Sequence, residues 1–297
     1  RKTVIKGQQE LRCGYTTGTC AAAAAKAAAV TLLSGEICRD VSLQLPGGEH
    51  IILETEFLEC SENCVKCGMI KDAGDDPDIT NGLLICAAVE KTEGETILID
   101  GGMGVGRVTK PGLDQPVGAA AINSVPRKMI HEAVEDVRRQ YAWKKGLKVT
   151  VFIPNGKEKA EKTLNPMLGI VGGLSVLGTT GIVEPMSEKA LIDTIAVDIR
   201  MHRAQNEDIL LMAPGNYGLD YLKAAYHIHA DQVIKISNFI GDSIDLAVCE
   251  GASGIVLAGH IGKLIKVAGG IMNTHSHQAD ARMEIMTAYA AMAGAGN

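Results

Sequence analysis

The segment Pro214-Gly215-Asn216-Tyr217-Gly218 has the composition of a ligand loop. Its glycines let backbone amides come close to a bound group, and it opens a predicted helix whose N-terminus favours a carboxylate or phosphate. It is not G-x-G-x-x-G, so a dinucleotide has little support. A plain turn with a helix cap would read the same way. The next predicted strand ends in Ser237-Asn238, where Asn238, or Asp242 reaching back, could meet ribose hydroxyls. Gly259-His260-Ile261-Gly262-Lys263 lies at a third strand end that opens a helix, so His260 and Lys263 could both face a ligand. Imidazole titrates near neutrality, which makes His260 the best single candidate for handling a proton. A structural histidine fits the same place.

Other clusters are less directed. Lys71-Asp-Ala-Gly-Asp-Asp-Pro-Asp78 packs four carboxylates into seven residues. They repel one another unless partnered, so the segment is either a solvated turn or a cation or base site, and it matches no calcium loop. Cys60-x3-Cys64-x2-Cys67 has the spacing of a [4Fe–4S] ligand set or of part of a zinc site, yet no barrel pattern surrounds it. Free thiols on a hairpin are the plainer reading. His275-Ser276-His277 with Asp280 and Arg282 could anchor a substrate carboxylate as readily as a metal, and His227 and His229 read as surface features of a helix end. Arg107 with Lys110, and Arg127 with Lys128, hint at an anionic ligand in a chain of net charge −6, or at a solvated surface. There is no G-x-S-x-G elbow and no Walker A sequence.

The elements that must position these residues change character along the chain. Ala21–Ala29, broken only by Lys26, is a strong helix signal, and the threonines of GYTTGT can cap it. VSLQLPGGEHIILETE reads as a hairpin, and PRKMIHEAVEDVRRQYAW as an amphipathic helix with Met129, Ile130, Ala133, Val134 and Val137 in one stripe. From Val149–Pro154 onward, apolar strands at 209–213, 233–236 and 255–258 alternate with helices at 188–203, 219–226 and 242–250. That alternation predicts a parallel sheet covered on both faces, with ligands beyond the strand C-termini. The expected fold class is α/β in two domains: an α+β domain over residues 1–145 and a Rossmann-like three-layer domain with a mostly parallel sheet over 146–297.

Composition closes off several classes. With 297 residues and 46% apolar content the chain has ample core, which excludes disorder. Its acidic balance and 3% aromatic content argue against nucleic acid. The uncharged stretch 163–183 carries Asn165, Pro166 and several glycines, so it is expected as buried loop and strand, not a membrane span. A polar start without a secretory signal, together with eight cysteines in so long a chain, fits free thiols in the cytoplasm. The missing initiator Met reads as a trimmed start.

Gly14–Ala28, Lys71–Asp78, Val108–Leu113, Ala121–Ile130, Thr179–Leu191, Ala213–Gly218, Ser237–Asp242 and Ala258–Ser276 together resemble the signature blocks of the CbiD family, in order and over nearly the whole chain. The cysteine cluster lies outside those blocks, and family chains often continue past this C-terminus. The resemblance implies methyl transfer from S-adenosylmethionine to C-1 of cobalt-precorrin-5B, giving cobalt-precorrin-6A in anaerobic cobalamin biosynthesis. It also implies a smaller α/β domain joined to a Rossmann-like one. No protein-bound metal is expected, because the cobalt belongs to the substrate.

On that basis position and residue type place the methionine end or ribose of the cofactor at Gly215, Asn216 and Gly218, with Asn238 near the ribose. Lys110, Arg127, Lys128, Lys263 and His275 are candidates for the substrate's carboxylates. His260 or Asp72 would take a proton if one must leave. Two other classes remain open at this point: an iron–sulfur enzyme using Cys60, Cys64 and Cys67, and a non-catalytic corrinoid carrier. The expected partner is an anionic tetrapyrrole without nucleic acid or membrane, and a homo-oligomer is left open.

Overall fold

The computed structural model describes residues 2–6 and 8–295. The chain divides into two compact units, residues 1–110 with 114–186, and residues 187–297 with the short segment 111–113. Both are mixed assemblies of helices and strands, with several sheets in all.

The main elements of the first unit are α1 (Thr17–Ser34), β1 (Asp40–Gln44), β2 (His50–Glu54), β3 (Glu56–Cys60), β4 (Cys64–Ile70), β5 (Leu84–Thr92), β6 (Ile97–Gly101), α2 (Ser124–Gln140) and β7 (Gly146–Phe152). Thr16 caps α1, its Oγ1 accepting from the Thr19 amide at 3.2 Å, and Gly35 closes the helix in the left-handed region at φ 79°. Alanine is the best helix former and has almost no side chain, so most of α1 is buried, with only the stripe Lys26, Val30, Leu33 and Ser34 half-buried. It packs against β4 and β5 on one side and α2 on another. Strands β3-β4-β5-β7-β6 form one mixed sheet, antiparallel except where β7 and β6 run parallel. One face of it, including Val65, Cys67, Ile85, Ala87, Val89, Val149 and Val151, forms a single core with α1 and the predicted stripe of α2. The predicted hairpin is the antiparallel pair β1–β2.

Strand β7 corrects the expected organisation. It pairs with β5 from Gly146 to Phe152 and with β6 beside it, so a boundary at residue 146 would cut this sheet in half. The compact unit runs on to Met186. An apolar run such as VTVF marks a strand, here buried on one face with Val149 and Val151, without saying which neighbour it pairs with. The segment 163–183 contributes three two-residue strands, at Ile170–Val171, Gly173–Leu174 and Ile182–Val183.

The second unit comprises α3 (Glu188–Ala204), β8 (Ile209–Ala213), α4 (Asn216–Tyr226), β9 (Ile234–Lys235), α5 (Ile240–Cys249), β10 (Gly254–Leu257), α6 (Ile261–Ala268) and α7 (Arg282–Met292). Its three strands are all parallel, in the order β9-β8-β10. Side chains alternate along β8, as a strand requires. Leu210 and Met212 pack with Ile195 and Ile199 of α3 and Ile240 and Ala247 of α5. Leu211 and Ala213 pack instead with Leu219 and Leu222 of α4. Helices therefore cover both faces of this small sheet. Among the described residues no helix is long and apolar enough to cross a membrane.

Candidate functional site

Parallel pairing sends the loops after β8, β9 and β10 out of the same end of the sheet. The chain leaves β8 through α4 to reach β9 on one side. It then returns through α5 to reach β10 on the other. At such a reversal the two crossovers diverge, and a crevice opens outside the carboxyl ends of the central strands. The loops at that end of this sheet are Pro214–Gly218 and Ala258–Lys263.

Three glycines shape this crevice in two different ways. A Cβ on Gly218 would strike the Ala258 carbonyl, and one on Gly259 would lie 2.9 Å from Pro214 Cγ. Those two glycines let the strand-end loops close on each other and form the floor. Gly215 is different: an added Cβ meets only Lys263 Nζ, at 3.8 Å. Its backbone borders open space. Helix α4 begins at Asn216, three residues earlier than the sequence predicts, so Asn216, Tyr217 and Gly218 form its first turn and present the free amides of a helix start. Lys263 donates to the Pro214 carbonyl at the same spot. Burial first, and then the charge of Lys266, hold the Lys263 ammonium below its ordinary value. An anion placed here would relieve both effects.

His260 is present in this wall but in a different role from the expected one. It is the N-cap of α6, its Nδ1 accepting from the Gly262 amide at 3.0 Å. With that lone pair engaged, the neutral ring carries its proton on Nε2 and offers a donor. Taking up a proton would break the cap. Its ring also meets Tyr217 edge to face, with centroids 4.9 Å apart. Tyr217 escaped the sequence reading, although it lies inside the glycine motif. An aromatic ring in the first turn of a ligand-loop helix was the available signal.

Asn238 leaves the same end of the sheet and is tied to the 273–280 loop. Its carbonyl accepts from the Thr274 amide at 3.0 Å, and its Oδ1 from Thr274 Oγ1 at 3.4 Å. Lys266, only 3% exposed, braces that loop by donating to the carbonyls of Thr274 and Ala279. Nothing in its spacing distinguishes this lysine from a surface one. His275 is exposed; its Nδ1 accepts from the His277 amide at 3.2 Å and the two rings stack.

The other predicted site residues belong to the first unit. Asp72 is engaged on both oxygens, by Arg12 and by the Gly74 amide at 2.9 Å, so it is committed to an ion pair and does not stand open as a base. Arg127 donates to the carbonyls of Ile122, Ile99 and Ala120, which makes it a clip between α2 and the sheet. The expected role in holding a substrate carboxylate is corrected accordingly: three of its five N–H donors, including Nε, are committed to the backbone. Lys128 is exposed beside Glu132, and Lys110 reaches the Met167 carbonyl at 3.4 Å. Of the KDAGDDPD acids, Asp78 pairs with the buried Lys71 at 2.6 Å and with Thr80.

The cysteine trio does not converge. Cys64 and Cys67 are three apart on β4, so they face opposite sides of the sheet, with Cys67 in the core. Cys60 lies opposite Val65, on the side of Cys67. Burial raises the Cys64 thiol and pushes Cys67 up to about 12, which opposes the thiolate a cluster needs. The iron–sulfur alternative fails on this geometry.

The second unit is thus a three-stranded parallel sheet whose strand-end loops bring together a helix start, a part-buried lysine and an exposed glycine. Comparison with known proteins gives the family. Residues 4–185 match the family model CbiD, and residues 273–297 match the model described as CbiD, C-terminal domain. A cobalt-precorrin-5B C(1)-methyltransferase of Ruminiclostridium cellulolyticum is 51% identical over 292 residues, covering 98% of this chain and 76% of its own. One from a Thermoanaerobacter species is 50% identical over 291 residues, covering 98% and 78%. The crystal structure of a cobalamin biosynthesis protein (cbiD) from Archaeoglobus fulgidus matches with a TM-score of 0.51 at 27% identity, over 95% of this chain and 87% of that one. The chain belongs to the CbiD family.

Proposed function

We propose that this chain transfers the methyl group of S-adenosylmethionine to C-1 of cobalt-precorrin-5B. A carbon–carbon bond forms, the sulfonium–methyl bond breaks, and cobalt-precorrin-6A and S-adenosylhomocysteine leave. The family and the names of its relatives supply the reaction. The single observation in this molecule that supports it is the crevice between Pro214–Gly218 and Ala258–Lys263, read as the cofactor pocket of a Rossmann-like, doubly wound unit.

The residues present fit such a cofactor. Gly215 leaves room for a close approach, and Lys263 Nζ stands beside it at the start of α4, so ammonium and helix amides converge on one carboxylate. This reading moves Lys263 from the substrate to the cofactor's methionine end. Asn238, held in place by Thr274, is left to the ribose. When bound, the cofactor supplies an electrophilic methyl that needs no protein nucleophile. The chain's task is then to align the reactants and keep water out. His275 is assigned to the substrate's carboxylates, and Lys128 is kept as a separate candidate on its own unit. His260, capped through Nδ1, serves as a hydrogen-bond donor.

The test is incubation of the purified chain with cobalt-precorrin-5B and methyl-13C S-adenosylmethionine. The expected product carries one labelled methyl, placed at C-1 by NMR, with an equivalent of S-adenosylhomocysteine. A chain that binds the tetrapyrrole but never S-adenosylmethionine would instead be a carrier. Asn216→Ala should weaken S-adenosylhomocysteine binding more than about tenfold, or 1.4 kcal/mol. Wild-type affinity in that variant would remove the motif from the pocket.

A further inference from the structure

We infer that Tyr217, extended by Tyr221, is the platform on which the conjugated macrocycle of the methyl acceptor stacks; this rests on the cofactor reading given above. The ring of Tyr217 is 66% exposed although it belongs to the first turn of α4, next to Asn216 at the crevice mouth. Its orientation is fixed. It meets His260 edge to face at an interplanar angle of 87°, and His260 is itself pinned by the Gly262 amide. Tyr221, 54% exposed, follows four residues later on the same side of the helix and is in turn braced edge-on by Tyr226, with centroids 5.9 Å apart. The whole chain holds six tyrosines, and three of them line this one helix, exposed.

The chemistry of this stripe selects among ligand parts. Gly218, Leu219 and Leu222 are the buried residues of α4 and turn toward the sheet, so Tyr217 and Tyr221 lie on its outer side. A cofactor held at Gly215 and Lys263 occupies the inner side, where small ligands bury most of their surface. The acceptor must reach the transferable methyl from outside that pocket. Two rings four residues apart, about 6 Å along the axis, offer more breadth than a single base or a sugar can use. A wide conjugated macrocycle covers both. Rings braced edge-on lose little freedom when a flat ligand settles on them, which favours stacking over simple burial of apolar area.

The test compares two ligands on the same variants. Titrate S-adenosylhomocysteine and cobalt-precorrin-5B separately into wild type, Tyr217→Ala, Tyr217→Phe and Tyr221→Ala, with thermal melts to verify the fold. Loss of one stacking ring costs roughly ten- to a hundredfold in affinity. Tyr217→Ala should therefore weaken the tetrapyrrole by about that factor and leave S-adenosylhomocysteine within about twofold. Tyr217→Phe should recover most of the loss, since the ring and not the hydroxyl is responsible, and Tyr221→Ala should show a smaller loss of the same kind. Wild-type tetrapyrrole affinity in Tyr217→Ala overturns the assignment, as does an equal loss of both ligands in a variant that melts normally. If wild type itself fails to bind the tetrapyrrole, the proposed function falls and takes this inference with it.

Discussion

Arg127, Arg107 and Lys71 of the first unit and Lys263 of the second are disposed of in opposite ways, although Lys266 and Arg203 of the second unit are also engaged by the chain. The first three are consumed by the chain itself. Arg127 is spread over three carbonyls, Arg107 grips Asp100 and the Gly101 carbonyl, and Lys71, 1% exposed, is sealed against Asp78. In the second, Lys263 has one carbonyl partner beside an open glycine, and an aromatic ring stands exposed at the same mouth. A cluster of cations or acids in a sequence is thus evidence for a ligand only where the surrounding backbone leaves their donors unspent.

The sharpest way to break this contrast is to damage the first unit without touching the second. Asp78→Asn leaves a fully buried ammonium without its counter-charge, a change that typically costs about 3–5 kcal/mol. Stability measured by urea denaturation should fall by that order, while S-adenosylhomocysteine affinity in the folded fraction stays unchanged. The pH dependence follows with a definite sign. Burial alone would raise the Asp78 carboxyl, but Lys71 and Thr80 outweigh it and hold it below the ordinary 3.8. A carboxyl depressed in the folded state contributes stability that is complete above pH 3.8 and is lost as the pH falls through its folded value. Asp78→Asn should flatten that part of the acid limb, and an unaltered limb would show that the pair is not what senses acid.

Two glycines three residues apart sharpen the comparison within the second unit. Gly218→Ala drives a methyl into the Ala258 carbonyl and should destabilise the unit by about 1–3 kcal/mol. Gly215→Ala has space and an extended backbone, so its unfolding free energy should stay within about 0.5 kcal/mol of wild type while cofactor affinity drops. Equal effects of the two on stability would refute the division into a packed floor and an open wall. Next in size is Lys263→Met. Removing one charge-assisted hydrogen bond should weaken S-adenosylhomocysteine by about tenfold or more. Because this lysine is held below its ordinary value by burial, stability should hold or rise. Undiminished affinity would place the carboxylate elsewhere.

How much of this was legible depends on what each signal encodes. The alanine helix, the hairpin, the α2 stripe and the strand–helix alternation after Ser187 all follow from local periodicity, and all are present. The placement of β7 was not legible, because pairing is a long-range choice that VTVF does not carry. At the site, Gly215, Asn216, Gly218, His260 and Lys263 come together because each follows a strand end of one parallel sheet. Arg127 and Asp72 looked like site residues because charge type is visible in sequence, whereas the carbonyls and the arginine that engage them come from distant segments. Three histidines, 229, 260 and 275, accept backbone amides close behind them, a capping use that no spacing rule separates from catalysis.

The smallest effect concerns Lys128, the one residue of its pair that the fold leaves available. It is 75% exposed and lies 3.8 Å from Glu132, one turn along α2. Such a pair contributes no more than about 0.5 kcal/mol, so Lys128→Gln should melt like wild type. If Lys128 meets a carboxylate of the tetrapyrrole, an exposed charge contact of this kind is worth about two- to fivefold in affinity. That difference should fade as salt shortens the range of the interaction. Titrating cobalt-precorrin-5B into both forms at low and at high ionic strength reads the effect directly. A salt-sensitive loss would show that the first unit also presents a charge to the substrate. Identical affinities at low salt would take Lys128 off the substrate's face.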